Sequence, residues 1–557
     1  MGDAIDEYLG VSIADYGAAV GQPIIRGMSG PRVKILKNGV VNRDVSGLGV
    51  DHLNDVDLHD ISQVEIVKGP SSLLYANGTI GGIINVVDDC ISALNYELPE
   101  ISVGYETQSV NDGNAENFNF KNNINGFNVN FGYKNIDFGN YDIPSGAILH
   151  EEEDHEDHDE DEHHDEDMGF LNNSDYAVEA TKFGISKVGD WGYVGFSVDN
   201  LESVYGIPFH GDEHGDEHGD EHGDEHGDEE EHDEHGEERI FSTTDSESFT
   251  IKGSYNINGS LINKIDFNYR DSDYSLTEAH EEEEHHEEDE HDEEEEHEEH
   301  APTVFMNEAV EYGATFDISN DSSTQKVVVN FVDEDNSIVG EEAFMNPANS
   351  KEFTIGYYLS KDLGIYDLDV GFRHDQIERS GSVTEEEHDD DHGDDHVDDH
   401  GDDHGDEHGE VDYYNIDDST NSFAVTLGRS LNDNLGVSLG YASVERLPSS
   451  IELFMNGPHM ATGRFEVGDP NLNSETSNNF DITFNFDNGD FYAYASFYIT
   501  DVDNYIALID EEEDHMDEEE HHEDEDEHHE DEDEHHEDEH DDHGHGNLIH
   551  ANYMQED

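Results

Sequence analysis

The chain has 557 residues, enough for two or more domains, and a formal net charge of −122 at pH 7. So acidic a protein attracts cations and lacks the basic surface that nucleic-acid binding requires. Only 33% of the residues are hydrophobic, and no apolar run approaches the roughly 18 residues of a transmembrane helix. A helical membrane protein is therefore excluded, whereas a transmembrane β-barrel, whose strands alternate apolar and polar residues, is not.

The first ninety residues alternate short apolar runs with glycine-rich turns, which is typical of a compact α+β unit. We predict a strand at Val64–Val67, a chain break at Gly69 and Pro70, and a helical turn at Ser71–Tyr75. A glycine-studded segment then leads into an apolar strand at Ile83–Val87. Cys90 is the only cysteine, so the sequence has no disulfide and no thiolate metal cluster.

From Ile101 onward the sequence consists of alternating polar and apolar strands joined by short turns, such as the one at Asn125 and Gly126. We predict fifteen strands up to Ile506, and the segment Asn547–Met554 is predicted to begin a sixteenth. The fifteen are Ile101–Val110, Glu116–Ile124, Phe127–Asp137, Tyr176–Val188, Trp191–Ser203, Ser246–Asn256, Leu261–Tyr274, Glu308–Ile318, Gln325–Val332, Lys351–Ser360, Ile365–Ile377 and four between Tyr413 and Ile506.

Five low-complexity tracts rich in His, Asp and Glu interrupt these strands and hold 34 of the 39 histidines. Every interval between two tracts contains an even number of predicted strands, so all five tracts are expected on the same side of the sheet. Outer-membrane barrels have short periplasmic turns and long external loops, and the tract side is therefore predicted to be extracellular. The tracts are His150–Asp167, His210–Glu238, His280–His300, Glu385–Glu410 and Asp510–His545.

The composition of the tracts predicts disordered loops that bind metal ions weakly. Glycine recurs through the second tract and like charges lie four residues apart, which disfavours a helix. Imidazole suits zinc, copper and nickel, while carboxylates also accept calcium, magnesium and manganese. Acidic loops that only shield the surface are the alternative. The histidines predicted to capture ions include His214, His218, His222, His226, His392, His396, His400 and His404.

The N-terminal segment resembles the plug domain of TonB-dependent outer-membrane receptors. Residues 22–47 read QPIIRGMSGPRVKILKNGVVNRDVSG, and the run from Val67 through Gly69 and Pro70 to Gly81, Gly82 and Asn85 matches a second family pattern. The resemblance implies a mainly β protein, with a plug at residues 1–95 inside the lumen of a transmembrane antiparallel β-barrel at residues 96–557. Its expected partners are the TonB energising complex, outer-membrane lipid and divalent metal ions.

The resemblance also implies a location in the outer membrane of a Gram-negative bacterium. Proteins of this family carry a signal peptide and a TonB-binding box ahead of the plug, and their barrels have more than sixteen strands. We find none of these features in the sequence. We therefore expect the chain to be a fragment that lacks both ends of such a receptor and an incomplete barrel of about 15–16 strands.

Three short motifs resemble the zinc-uptake branch of these receptors. They are Val50-Asp51-His52 in the plug, Gly340-Glu341-Glu342-Ala343-Phe344 in the middle of the barrel, and Gly457-Pro458-His459 running on to Gly468 and Leu472. The resemblance implies a metal site formed by Asp51, His52, Glu342 and His459, a set of nitrogen and oxygen donors that suits zinc. Of the remaining histidines outside the tracts, His374 is predicted to be structural, and His59 and His550 have no assigned role.

The function favoured by these features is TonB-dependent uptake of Zn²⁺ as the transported substrate, with other divalent metals possible as cargo. A receptor for haem or a metal chelate is one alternative, because Arg446-Leu447-Pro448 and Asp469-Pro470-Asn471-Leu472 faintly resemble paired haem-receptor motifs with His459 between them. A passive surface barrel that sequesters metal is another. No catalytic triad or phosphate-binding loop is evident, and the protein is not expected to be an enzyme.

Overall fold

The computed structural model describes most of the chain outside the acidic tracts. The tracts lie outside the described residues except at their borders, where residues 280 and 281 belong to a strand and Asp510 ends another. The predicted capture histidines therefore all lie outside the described part. The described residues are 5, 8–16, 19–47, 52–144, 147, 169–208, 239–281, 302–340, 343–384, 411–459, 462–511 and 548–556.

The N-terminal unit contains a hairpin and a four-stranded sheet. In this sheet β3 (Val33–Lys37) pairs in parallel with β6 (Gly82–Asp88). Strands β4 (Val40–Val41) and β5 (Ile61–Val67) flank them in antiparallel pairings, which gives the order β4-β3-β6-β5. The apolar run predicted as a strand is buried along almost all of β6. The elements are β1 Val11–Tyr16, β2 Val20–Ile25, a 3-10 helix at Gly30–Arg32, β3 Val33–Lys37, β4 Val40–Val41, β5 Ile61–Val67, a 3-10 helix at Ser72–Leu74 and β6 Gly82–Asp88.

The rest of the described chain is dominated by one antiparallel sheet of fifteen strands, as the alternating pattern predicts. Consecutive strands of the sheet are hydrogen-bonded neighbours throughout. Its strands are β7 Glu100–Gln108, β8 Gly113–Ile124, β9 Phe127–Phe138, β10 Tyr176–Gly189, β11 Gly192–Gly206, β12 Arg239–Asn256, β13 Lys264–Glu281, β14 Thr303–Asp317, β15 Thr324–Val339, β16 Ala348–Asp362, β17 Asp367–Thr384, β18 Val411–Asn432, β19 Leu435–Arg446, β22 Glu475–Asp487 and β23 Tyr492–Asp503.

From β8 onward, short turns alternate with longer connections along this sheet, so all long connections leave from one edge. That edge carries the strand ends that flank each of the first four acidic tracts. The turn at Asn125 and Gly126 has positive φ angles at both residues, as a tight hairpin of this kind requires. In the part of the chain that the structure describes, β7 and β23 are not paired with each other, and the sheet is open.

The sequence predicts that the segment Asn547–Met554 begins a sixteenth strand of the large sheet, and this prediction is wrong because the strand pairs elsewhere. The segment forms strand β25 Ile549–Glu556, but β25 lies in a separate four-stranded sheet at the long-connection edge. It pairs with β24 Tyr505–Asp510 and, in parallel, with β21 Arg464–Val467, which pairs in turn with β20 Asn456–His459. This small sheet is called the loop sheet below. The alternation in the sequence identified a strand but contained no information about its partner.

A single turn of helix, α1 Ser450–Phe454, precedes the loop sheet. Ser449 caps it by accepting a hydrogen bond from the backbone of Glu452, whose side chain accepts one in return from the Ser449 backbone. This reciprocal capping box fixes the direction in which the chain enters β20. Helix α1 packs against β16 and β17 of the large sheet, and so holds the loop sheet close to the barrel wall.

The large sheet buries polar side chains on one face and exposes apolar side chains on the other, the reverse of a sheet in a soluble protein. Polar side chains such as Asn130, Thr354 and Arg373 are buried on the face that contacts the N-terminal unit. Large apolar side chains are exposed on the other face, among them Phe196 and Phe423. An outward apolar face with a polar interior is typical of barrel strands that face lipid.

The N-terminal unit lies directly against the polar face of the sheet. Two glycines of the wall permit close backbone approach. A Cβ atom added at Gly184 would lie 2.0 Å from the carbonyl oxygen of Cys90, and one at Gly371 would lie 2.3 Å from that of Pro70. Only glycine fits at either position, because real Cβ atoms do not approach other heavy atoms this closely. No helix among the described residues is long and apolar enough to cross a membrane.

Candidate functional site between plug and barrel

Two histidines from distant parts of the chain meet at the long-connection edge of the molecule. His52 lies in the connection between β4 and β5 of the N-terminal unit and is fully buried. His459 is the last residue of β20 in the loop sheet and is 2% exposed. Their ring centroids lie 6.0 Å apart, and the ring planes differ by only 20°. The fold therefore brings one imidazole from the N-terminal unit and one from the loop sheet to the same place.

Aromatic side chains surround this pair. Phe305 of β14 meets the His52 ring edge-on with a centroid distance of 5.2 Å, and Phe344 lies 4.8 Å from the His459 ring. Phe305 and Phe344 also contact each other, at 5.6 Å, and both are essentially fully buried. They belong to the largest apolar cluster among the described residues, which includes Leu53 from the N-terminal unit. The two imidazoles thus pack against aromatic rings at a place closed to bulk water.

Each histidine has a carboxylate at its Nδ1 atom. Glu466 of β21 accepts a hydrogen bond from His459 Nδ1 at 3.0 Å, and Glu278 of β13 lies 3.5 Å from His52 Nδ1. Glu466 is 2% exposed, and the Glu278 side chain is 11% exposed. Neither carboxylate is among the residues predicted from sequence. Glu466 lies within the third motif, and that position is the sequence feature that could have indicated it.

Asp44 and Gln22 fix the loop that carries His52. The Asp44 carboxylate accepts hydrogen bonds from the backbone N–H groups of Ser46 and Asp55, both at 3.1 Å, and so joins the two ends of the loop. Gln22 donates to the carbonyl oxygens of Ser46 and His52 from the neighbouring strand β2. Because every one of these bonds is at least partly buried, the loop presents His52 at a defined position.

Asp55 is a buried carboxyl group with an unusual proton affinity. It is 7% exposed, and its Oδ2 atom has no hydrogen-bond partner among the described residues. Burial, reinforced by the nearby Asp44 carboxylate, raises the pKa of Asp55 from 3.8 to about 7. The folded protein therefore holds this proton more tightly than the unfolded chain does.

The pKa of Asp55 predicts a pH-dependent stability. Since its folded-state pKa is raised, stability should fall as pH rises from about 4 to about 7, and Asp55→Asn should remove this dependence. The variant should be more stable than the wild type at pH 8 and equal to it below pH 4. Denaturant unfolding at both pH values measures the difference, with the exposed Asp490→Asn as control. An equal effect of Asp55→Asn at both pH values would contradict the assignment.

Of the four residues predicted as the metal site, the structure brings His52 and His459 together. Asp51 and Glu342 lie outside the described residues, and their places in the site stay predictions. Among the described residues, no group of three or more His, Cys, Asp or Glu side chains is arranged to hold a metal ion. The described donors are therefore two imidazoles with one carboxylate beside each.

The other described histidines lie elsewhere. His374 Nδ1 lies 3.0 Å from the amide oxygen of Asn421 on the neighbouring strand, and its structural role stays a prediction. His59 makes a similar contact with Asn119, and the His550 ring stacks on Phe465 of the loop sheet. None of the three contacts the His52 and His459 pair.

A buried ionic cluster connects the N-terminal unit, the large sheet and the loop sheet. Glu475 at the start of β22 is fully buried and binds Arg32 of the plug and Arg446 of β19, the latter at 2.5 Å. Arg446 makes two further bonds to Glu452 of α1, at 2.8 and 2.9 Å. The backbone N–H of Ile506 also donates to Glu475, at 2.8 Å. One carboxylate thus connects three parts of the fold.

Comparison with known families identifies this architecture. Residues 1–83 match the family described as TonB-dependent Receptor Plug Domain, and residues 92–516 match the family TonB dependent receptor-like, beta-barrel. The chain belongs to the TonB-dependent receptors. Members of this family are outer-membrane transporters and receptors of Gram-negative bacteria, not enzymes, and they interact with TonB. The resemblance recognised in the sequence is confirmed at this level.

Individual relatives are similar to this receptor over limited stretches or at low identity. The hemin receptor of Yersinia enterocolitica is 32% identical over 110 residues, which is 19% of this chain but only 15% of that protein. The copper transporter OprC has the same fold with a TM-score of 0.65 at 12% identity, over 92% of this chain and 71% of its own. The FrpB iron transporter from Neisseria meningitidis gives a TM-score of 0.61 at 11% identity, over 91% and 70%. These structural likenesses concern the fold alone.

Proposed function

We propose that this receptor imports a divalent metal ion, zinc in the first place, across the outer membrane with energy from TonB. The observation that carries the proposal is the meeting of His52 from the plug with His459 from a barrel loop, at a centroid distance of 6.0 Å. Imidazole is a preferred donor for zinc, copper and nickel. A site divided between plug and barrel also suits transport, because movement of the plug would pull its donors apart and release the ion.

The position of the acidic tracts and the apolar outer face of the sheet support the transport proposal further. The histidine pair lies at the edge from which the acidic tracts leave the sheet, so ions captured by the tracts would be concentrated beside the site. The outward apolar face of the sheet supports placement in lipid. Asp51 and Glu342 are proposed as further ligands, which would complete a tetrahedral set of nitrogen and oxygen donors.

A haem or metal-chelate receptor is the second candidate, and it is favoured by the similarity to the hemin receptor and by the position of His459 between the two sequence motifs. The packing around the pair favours a bare ion. Phe305 and Phe344 contact the imidazole rings directly, and a macrocycle would have to displace these fully buried side chains. A passive metal-sequestering barrel is the third candidate, and it leaves a plug with a buried site unexplained.

Calorimetric titration with zinc tests the proposal on the whole chain. We expect one tight site per chain above the weak binding of the tracts, and we expect His52→Ala/His459→Ala to abolish the tight site while the weak binding remains. The matched control is His374→Ala/His550→Ala, which removes two histidines away from the pair and should leave tight binding unchanged.

The same variants separate the three functions. Tight zinc binding that survives His52→Ala/His459→Ala would overturn the proposed site. Haem binding that is lost in this double variant, without tight zinc binding in the wild type, would establish the haem receptor. Zinc that binds at the cell surface through this protein but does not accumulate inside the cell, with or without TonB, would favour passive sequestration.

A further inference from the structure

Glu466 is the buried carboxylate in closest contact with the histidine pair. It lies on β21, where it pairs with Gly457 of β20. This hairpin places Glu466 beside His459, which lies seven residues earlier in the chain. Its Oε1 atom lies 3.0 Å from His459 Nδ1, in a geometry that satisfies a hydrogen bond. A carboxylate without water around it would be costly to bury for packing alone, because its lone pairs need donors.

Thr462 supports this contact. Its hydroxyl lies 3.0 Å from Glu466 Oε1 and 3.0 Å from the carbonyl oxygen of His459. The hydroxyl and the imidazole Nδ1 therefore converge on one carboxylate oxygen at the tip of the hairpin. The three groups form a closed polar cluster in which the orientation of the His459 ring is fixed.

The chemistry of an imidazole held in this way is well defined. A carboxylate at Nδ1 keeps the proton on that nitrogen and directs the lone pair to Nε2. It also raises the donor strength of Nε2, and loss of such a partner typically weakens metal binding about 10-fold to 100-fold. The His459 ring, whose centroid is 6.0 Å from that of His52, is thereby prepared to bind an ion through Nε2.

We propose that Glu466, supported by Thr462, is a positioning residue that holds His459 as an Nε2 donor for the imported divalent cation. The inference rests on the proposed function, since it assigns to Glu466 a role in the same site. It adds a residue outside the predicted ligand set. The role assigned to Glu466 is to position His459, because its Oε1 atom is engaged by both the imidazole and the threonine hydroxyl.

The test compares two substitutions in the whole chain with Co²⁺ as a spectroscopic substitute for zinc. Glu466→Gln keeps the size of the side chain and an oxygen that accepts from Nδ1, but it removes the charge, and we expect about 10-fold weaker Co²⁺ binding. Glu466→Leu removes the acceptor, and we expect about 100-fold weaker binding together with loss of the Nδ1–H signal of His459 in NMR spectra. Glu97→Gln, at an exposed position outside the tracts and the site, serves as control.

The outcomes distinguish this inference from the proposed function. If the wild type binds tightly through His52 and His459 and Glu466→Gln binds equally well, Glu466 is only structural and the inference is wrong. If the wild type has no tight site that depends on the two histidines, the proposed function itself fails. Because the isosteric Gln variant should retain the fold, a loss of binding in it with an unchanged circular dichroism spectrum supports the positioning role.

Discussion

Replacing Glu475 by alanine should lower the free energy of unfolding by about 3 to 5 kcal/mol, the usual cost of removing one partner from a buried ionic pair. Glu475 is fully buried and binds both Arg32 and Arg446. Without it, two guanidinium groups lose their shared anion at a place closed to water. Arg446 keeps Glu452, but within the described part of the chain Arg32 keeps only the carbonyl oxygen of Ile506 and the ring of Tyr505. The plug should therefore detach from the wall more readily than the barrel unfolds.

Denaturant unfolding measures the total loss, and protease digestion of the native protein measures the release of the plug. Glu97→Ala, which removes an exposed carboxylate, should change stability by less than about 0.5 kcal/mol. The double variant Arg32→Met/Glu475→Met should be more stable than Glu475→Ala, because it leaves no unpaired charge from the plug. A Glu475→Ala protein with wild-type stability and an intact plug would contradict this account of the cluster.

The sequence predicted the strands far better than their long-range contacts. Alternation and turn residues were sufficient for the fifteen wall strands, because a period of two and a turn such as Asn125-Gly126 are local properties. The same rules recognised the strand at Ile549–Glu556 but assigned it to the wall, since its parallel pairing with β21 depends on a neighbour 85 residues away. The bond between Arg32 and Glu475 spans 443 residues and has no local sequence signature.

The candidate site was predictable only through motif resemblance. Nothing in the spacing of His52 and His459 requires them to meet, and the motifs of a known family indicated both. Glu466 and Glu278 escaped prediction for different reasons. Glu466 sits within a motif but has no distinguishing composition, and Glu278 lies two residues before the border of an acidic tract, where one carboxylate among many cannot be singled out.

The stability of the plug and the geometry of the site depend on the same interface. His52 reaches its place through a loop held by Asp44, and its ring contacts Phe305 of β14. Phe305 contacts Phe344, which in turn contacts His459. Movement of the N-terminal unit away from the large sheet would therefore both break the bond between Arg32 and Glu475 and change the distance between the two imidazoles. The same coupling suits a receptor that must hold its cargo until the plug is pulled.

Replacing Phe305 by alanine should test this coupling with a large effect on both properties. Phe305 is fully buried between His52 and Phe344, with ring centroids at 5.2 and 5.6 Å. Loss of its ring leaves a cavity and should lower the free energy of unfolding by about 3 to 5 kcal/mol. The His52 ring would lose its edge-on neighbour, so tight zinc binding should weaken as well, although no metal donor is removed.

Phe305→Leu separates the two effects, since it restores most of the buried volume without the flat ring. We expect Phe305→Leu to recover most of the stability lost in Phe305→Ala, while zinc binding recovers less, because an aliphatic side chain fills the space but does not orient the imidazole. Phe491→Ala, at a 61% exposed position in a turn, is the matched control and should affect neither. Unfolding in denaturant and zinc titration on the same samples provide both measurements. Stability and zinc affinity that recover in equal proportion would show that Phe305 acts only by filling space.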